Sequence, residues 1–238
     1  VAEPILTVEN LESGYGEVQV LWGVSLAVQP GQVTTIIGTN GAGKTTTLYT
    51  VMGDIRPSVG RITFKGEDVT RLPAHAKAQR GLVLVPEGRQ LFNNMDVDDN
   101  LEMGAFSPRA RANLEKNRER VFELFPRLRE RRHQKAGTFS GGEQQMLAVG
   151  RGLMAEPEVL MIDELSLGLS PLLAQQLFTT LKTLKKQGMT ILLVEQNVHL
   201  ALALSDYAYV LAEGKVFTHG PAQEVAERGE IKEAYLGL

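Results

Sequence analysis

The sequence predicts an α/β fold with a mostly parallel sheet, a smaller antiparallel β subdomain and an inserted helical subdomain. Four short runs, "VTTII" (33–37), "LVLV" (82–85), "VLMI" (159–162) and "ILLV" (191–194), are continuously apolar and bounded by polar or turn residues. They read as strands buried on both faces, as a parallel sheet requires. Helical segments alternate with them, the pattern of α/β folds. Near the N-terminus "ILTVENL", "VSLAV" and "GRITFKGEDV" alternate more and carry glycine turns, which reads as an antiparallel portion.

Helices are expected at 43–52, 74–80, 97–104, 110–124, 143–155, 171–187 and 221–227. From about 88 to 158 the chain is mostly helical and reads as a subdomain inserted between two core strands. Residues 108–135 hold ten Lys and Arg against four Asp and Glu. A solvated helical face is the default account of that charge; the sharper one is contact with anionic lipid headgroups or another protein. In "TFSGGEQQMLAVG" (138–150), Ser140 and Glu143 have the S-x-x-E spacing of a capping box. Between them stand Gly141 and Gly142, each costing about 1 kcal/mol relative to Ala inside a helix. A cap alone does not call for glycines. They leave a helix N-terminus bare of side chains, so that backbone donors can approach a phosphate.

Composition narrows the field. The 238 residues are enough for one large domain, or one core with a subdomain. Charged residues make up 22% and hydrophobic ones 43%, an ordinary globular balance. A net charge of −3 gives no global basic field for nucleic acid. The absence of cysteine excludes a disulfide scaffold and a thiolate metal site. No apolar run approaches the roughly 18 residues of a spanning helix, and "VAEPILTVENLES" lacks the pattern of a signal peptide. Work at a membrane is therefore expected to go through a partner. There is no internal repeat and no low-complexity linker.

"IIGTNGAGKTTTL" contains Gly38-x-x-x-x-Gly43-Lys44-Thr45, a full match to GxxxxGK[ST] between an expected strand and an expected helix. Its glycines let backbone N–H groups curl around phosphates and the helix N-terminus adds its positive dipole end. Lys44 reaches the β- and γ-phosphates and Thr45 offers a hydroxyl to Mg²⁺. A glycine-rich turn that binds nothing would not need the Lys-Thr pair. Downstream, "VLMIDELS" ends a strand in Asp163-Glu164, two carboxylates at the carboxyl edge of the sheet, where open α/β folds bind ligands. Asp163 is the expected Mg²⁺ holder and Glu164 is placed to orient and deprotonate the attacking water. A GTPase would need an Asp-x-x-Gly switch, and no Asp here has Gly three positions on; N-K-x-D is missing too. A small-molecule kinase would give no reason for "SGGEQQ".

"GTNGAGKTT", "FSGGEQQMLAVGRGLM", "VLMIDE" and "ILLVEQN" stand in the order and spacing of ATP-binding cassette (ABC) ATPase subunits, and the chain resembles that family over essentially its whole length. Through "LVPEGRQLF", "LFPRLRER", "LLVEQN" and the C-terminal "AYLGL" it is similar to the ATPase subunits of branched-chain amino-acid importers. The resemblance implies a P-loop ATPase (RecA-like) core that binds ATP and Mg²⁺ and hydrolyses ATP. It implies a head-to-tail pair of cassettes with two ATPs between them, partnered by membrane permease subunits at the cytoplasmic face of the membrane and, indirectly, by a solute-binding protein. Nucleotide contacts then fall on Gly38, Asn40, Gly41, Gly43, Lys44, Thr45 and Thr46, with Tyr15 stacking on adenine. Ser140, Gly141 and Gly142 match the signature loop that caps the γ-phosphate of the opposite subunit, and "SLGLS" (166–170) the loop that crosses the interface. Motion would pass to the membrane subunits through the helical subdomain and the Glu87 loop.

Four positions depart from the family pattern. Phe139 replaces the Leu that opens the signature and Leu165 the Pro after the catalytic Glu; both stay apolar, so altered packing is expected rather than lost chemistry. Glu87 stands where a metal-sensing Gln is usual, and a carboxylate pairs with Mg²⁺ more strongly than an amide. Gln196 stands at the switch His; it can hydrogen-bond a γ-phosphate oxygen but cannot shuttle a proton near neutral pH, which leaves the proton to Glu164. His199, three residues on, reads as a surface histidine. The alternatives are an importer of another amino acid, an amide or urea, and a non-transport cassette acting as a nucleotide-gated switch. The latter class typically needs tandem cassettes, a coiled-coil insertion or a basic groove.

Overall fold

Ten strands and eleven helices follow one another in a computed structural model that describes residues 3–231; the "AYLGL" match at 234–238 lies outside the described residues. The N-terminal half carries β1 (Leu6–Tyr15), β2 (Val18–Val28), β3 (Val33–Gly38), α1 (Lys44–Met52), β4 (Val59–Phe64), β5 (Glu67–Asp68), α2 (Ala74–Gln79) and β6 (Leu82–Val85). Then come α3 (Val97–Gly104), α4 (Pro108–Ala112), α5 (Leu114–Leu124), α6 (Pro126–Glu130) and α7 (Gly141–Met154), preceded by a 3-10 turn at Ala136–Thr138. The chain closes with β7 (Val159–Asp163), α8 (Pro171–Lys186), β8 (Thr190–Val194), α9 (Val198–Leu204), β9 (Tyr207–Ala212), β10 (Lys215–Pro221), α10 (Ala222–Glu227) and α11 (Gly229–Ile231).

The apolar runs lie side by side. One sheet has the order β10-β9-β3-β8-β7-β6, parallel except for the β10 edge; the other is antiparallel, β2-β1-β4-β5. Alternate residues of the parallel strands enter two different cores. Ile36, Met161, Leu192 and Val194 pack with α1 and the antiparallel sheet, whereas Ile37, Leu160, Ile162, Ile191 and Leu193 pack with the α7, α8 and α9 side. Burial on both faces is why these strands are continuously apolar.

Register places the functional edge. Ile36 pairs with Val194, and Val194 with Asp163, so β3, β8 and β7 end in a row. Loops 39–43, 164–170 and 195–197 therefore leave the sheet at one edge. Helices α3 to α7 all lie between β6 and β7, which are parallel neighbours. The basic residues of this stretch are largely ion-paired. Arg109 lies beside Glu156, Arg111 beside Glu102, Arg118 beside Glu115, Arg129 beside Glu119 and Arg132 beside Asp98, which supports the default account of that charge. Phe139 and Leu165 are both buried in the helix-side core, so the two apolar departures are absorbed by packing.

One expected helix differs in detail. The helix expected over 110–124 is broken at Asn113 (φ −109°, ψ 17°), because Ser107 caps a separate short turn with Pro108 at its first position. The α6, α9, β9 and β10 elements had no counterpart in the sequence reading.

Candidate functional site

Between β3 and α1 the chain makes a turn that side chains would obstruct. Gly41 and Gly43 have φ of +81° and +98°, and a Cβ on Gly43 would lie 2.7 Å from Leu21 Cδ2. Gly43 is also the N-cap of α1 and supplies no side-chain cap, so the first N–H groups of that helix are not capped from within it. A bare helix N-terminus beneath a glycine turn is an anion site. Lys44 is buried, with Nζ donating to the carbonyls of Gly38 (2.9 Å) and Thr39 (3.1 Å) across the loop. Its ammonium is 4.0 Å from a Glu164 carboxylate oxygen.

Thr45 Oγ1 donates to Asp163 Oδ1 at 3.1 Å, which joins the two halves of the motif across 118 residues of chain. Asp163 Oδ2 is buried without a partner. Burial pushes the Asp163 pKa up to about 7; the Thr45 hydrogen bond and Lys44 oppose the rise, and Glu87 and Glu164 add to it. A carboxylate with an idle oxygen beside a threonine hydroxyl suits a hard divalent cation such as Mg²⁺. Among the described residues no group of three or more His, Asp or Glu is arranged to hold a metal alone. An ion here would complete its shell with water or phosphate oxygens.

Glu164 takes φ 49°, the left-handed region that a non-glycine residue rarely adopts, with its N–H donated to Val194 O at 2.9 Å. Burial raises its pKa; Lys44 opposes this and Glu87 reinforces it. A carboxylate shifted toward neutrality is a better proton acceptor for water than an exposed one. A cavity of about 460 Å³ brings together Tyr15, Asn40, Gly41, Gly43, Lys44, Thr45 and Thr46 with Glu87, Glu164 and Gln196. Gly38 and Asp163 meet it through Lys44 and Thr45. Val20 and Leu167 also line it, and neither belongs to a sequence reading of the phosphate motifs. Tyr15 is 55% exposed at the end of β1, a flat ring open to stacking. His199 is exposed and lines no part of this cavity.

Ser140, Gly141 and Gly142 are not in it. They open α7 with a complete capping box: Ser140 N and Oγ donate to Glu143 Oε2 (3.0 and 2.8 Å), and Glu143 N donates back to Ser140 Oγ. Arg131 and Arg127 approach the other Glu143 oxygen at 3.1 and 3.6 Å. Ser140 and Glu143 face a separate hollow of about 780 Å³, walled by the end of α5, the start of α6 and α8. Gly142 also has a packing reason, since a Cβ there would sit 2.5 Å from Leu173 Cδ1 of α8. Sequence reasoning assigned both glycines to phosphate access and missed that contact, because Leu173 is 31 positions away in the chain.

Comparison with known proteins gives this arrangement relatives. Residues 21–166 match the family described as ABC transporter. The chain is 42% identical over 233 residues to the high-affinity branched-chain amino acid transport ATP-binding protein BraG of Pseudomonas aeruginosa, across 98% of this chain and 100% of that protein. It is 33% identical over 235 residues to the lipopolysaccharide export system ATP-binding protein LptB of Haemophilus influenzae, across 98% and 97%. Its fold is similar to that of an ATP-binding cassette of an ABC transporter solved in its ADP conformation, with a TM-score of 0.85, 30% identity and 100% of both chains covered.

Proposed function

The chain belongs to the ABC transporter family, and on that premise we propose that it is the ATP-binding and ATP-hydrolysing subunit of an importer of branched-chain amino acids. The observation that carries the ATPase reading is the Thr45–Asp163 pair, with one idle carboxylate oxygen, set beside Lys44 and Glu164 at one cavity. The importer reading is supported by 42% identity to BraG against 33% to LptB, an export protein.

In this reading the α1 N-terminus and the 39–43 loop cradle the phosphates and Tyr15 stacks on adenine. Lys44 leaves its loop carbonyls for the β- and γ-phosphates. Thr45 and Asp163 hold Mg²⁺, with Glu87 facing the same cavity; the ion supplies charge neutralisation on the phosphoryl oxygens. Glu164 takes the proton of the in-line water and Gln196 hydrogen-bonds the γ-phosphate. Ser140, Gly141 and Gly142 serve the ATP of a second cassette, and "SLGLS" (166–170) crosses to it. Helices α3 to α7 form a subdomain that meets membrane permease subunits at the cytoplasmic face, with a solute-binding protein beyond. Among the described residues no helix is long and apolar enough to cross a membrane.

A physical link supports coupling through the Glu87 loop. Arg151 of α7 donates to the carbonyls of Gln90 (2.7 Å) and Arg89 (3.1 Å), and Arg89 reaches back to Gln144 and Gln145. These hydrogen bonds tie the loop to the signature helix on both sides.

Glu164→Gln is the test. The variant should bind MgATP as the wild type does, lose ATP turnover by about 100-fold or more, and accumulate as an ATP-bound dimer. Turnover near the wild-type rate would remove Glu164 as the base.

A further inference from the structure

Glu195 has no part in the roles above, although it is 1% exposed. A buried carboxylate persists where hydrogen bonds satisfy it, and three donors face this one. Ser166 N donates to Oε1 at 2.9 Å, Ser166 Oγ to Oε2 at 2.8 Å, and Asn197 N to Oε2 at 3.4 Å. Burial raises the Glu195 pKa, opposed first by the Ser166 bonds, while the geometry uses the carboxylate purely as an acceptor.

These donors belong to two segments that leave neighbouring strands. Ser166 stands two residues after Glu164, and Asn197 directly follows Gln196. Glu164 needs support, because its left-handed φ of 49° is a strained setting held only when the surroundings over-determine it. The Val194 carbonyl grips its N–H on one side. Glu195 grips Ser166 on the other, closing the turn that contains Glu164. A cavity of about 320 Å³, lined by Glu164, Ser166, Glu195 and Gln196 among others, adjoins the nucleotide cavity and shares Glu164 and Gln196 with it.

We propose that Glu195 is a positioning residue for ATP hydrolysis, whose carboxylate clamps the Ser166 turn to the Asn197 turn and so fixes Glu164 and Gln196 relative to each other. Its two oxygens are both engaged by Ser166 and Asn197, so it acts through those turns. The inference rests on the assignment of Glu164 and Gln196 to hydrolysis, and it adds a consequence. If 166–170 is the segment that meets a second cassette, the clamp makes docking of that cassette felt at Gln196 through one carboxylate.

Two readouts on the full chain test it. The first is amide hydrogen exchange without nucleotide: Glu195→Ala should speed exchange in both 164–168 and 195–198. Glu195→Gln, whose amide oxygen still accepts from Ser166 N and whose NH₂ can donate to Ser166 Oγ but cannot accept from Asn197 N, should keep 164–168 protected and speed exchange only in 195–198. The second is steady-state hydrolysis. Glu195→Ala should lower kcat by about 10- to 100-fold, the scale of a small misplacement of a reacting group, with KM for ATP within about 3-fold. Glu195→Gln, which keeps the Ser166 half of the network, should recover part of the rate. Ser166→Ala should fall between them and add nothing to Glu195→Ala, since both cut one network. Unchanged exchange in Glu195→Ala, or Glu195→Gln as slow as Glu195→Ala, overturns the clamp. So does a fall in kcat matched by an equal loss of ATP affinity, which would mark a general loss of structure. A wild-type chain without ATPase activity would overturn the parent reading alone, leaving the exchange experiment to decide the clamp.

Discussion

Asp163 is a fully buried carboxyl with one oxygen, Oδ2, left without a partner. Burial outweighs the Thr45 hydrogen bond to bring its pKa up to about 7, well above the ordinary carboxylate range. A carboxyl whose folded pKa lies above its unfolded one binds its proton more tightly in the native state. Stability therefore declines as pH rises from about 4 to about 7, and the loss is complete above that window. Asp163→Asn removes the charge and keeps an acceptor for Thr45. In EDTA and without nucleotide at pH 8, it should be more stable than the wild type by on the order of 1–4 kcal/mol, and the two should converge near pH 4. Denaturant melts across pH measure this; a variant no more stable at pH 8 would show that the ionised form is not strained. MgATP should reverse the ranking, because the cation pairs more strongly with the carboxylate than with a neutral amide. The site residues were legible to different degrees. Lys44, Thr45, Asp163 and Glu164 carry fixed spacings that chemistry demands. Glu195 and Arg151 carry none: their roles come from partners 29 and 61 or more positions away, which no local pattern encodes.

At the scale of elements, the start of α7 shows that two adjacent glycines need not share a reason. A Cβ on Gly141 would meet only the flexible tip of Arg89 at 3.1 Å, whereas one on Gly142 would lie 2.5 Å from Leu173 Cδ1. Gly142→Ala should therefore destabilise the fold by about 1–3 kcal/mol through overpacking of the α7–α8 contact. Gly141→Ala should stay within about 1 kcal/mol of the wild type, since helix propensity favours Ala. Equal stability of the two variants in urea would remove the packing role. Elements with one unambiguous period were legible: the apolar strands of the parallel sheet, and α8 with its Ser170 cap and Pro171 start. The short ones were not. α9, "VHLALAL", is only seven residues long and fits strand alternation as well as helix period. It is helical because Asn197 caps it, accepting from Leu200 N, and its apolar residues close over the core. β9 and β10 pair antiparallel around a register shift between Val216 and Thr218, which breaks the alternation a strand reading relies on.

The whole molecule is half of a working unit if the reading of Ser140 holds. The α1 N-terminus opens on the cavity of the phosphate loop, while the α7 N-terminus faces a different hollow. Moving a pair of cassettes from mostly open to mostly closed needs roughly 5.5 kcal/mol of differential binding. Hydrogen bonds to a charged group contribute about 1.5–3 kcal/mol each, so two γ-phosphates, each met by two or three donors at the partner's α7, are sufficient. ADP lacks the group those donors meet, so hydrolysis releases the pair. Ser140→Arg puts a bulky side chain where the phosphate must enter and also loses a cap worth about 1 kcal/mol, leaving the phosphate loop untouched. In a Glu164→Gln background it should bind ATP as a monomer with unchanged affinity yet form no ATP-dependent dimer by light scattering. Ser140→Ala loses the same cap without the bulk and should dimerise, more weakly. If Ser140→Arg dimerised like its parent, the α7 N-terminus would not lie in the interface, and packing against Leu173 would explain Gly142 while Gly141 kept no explanation.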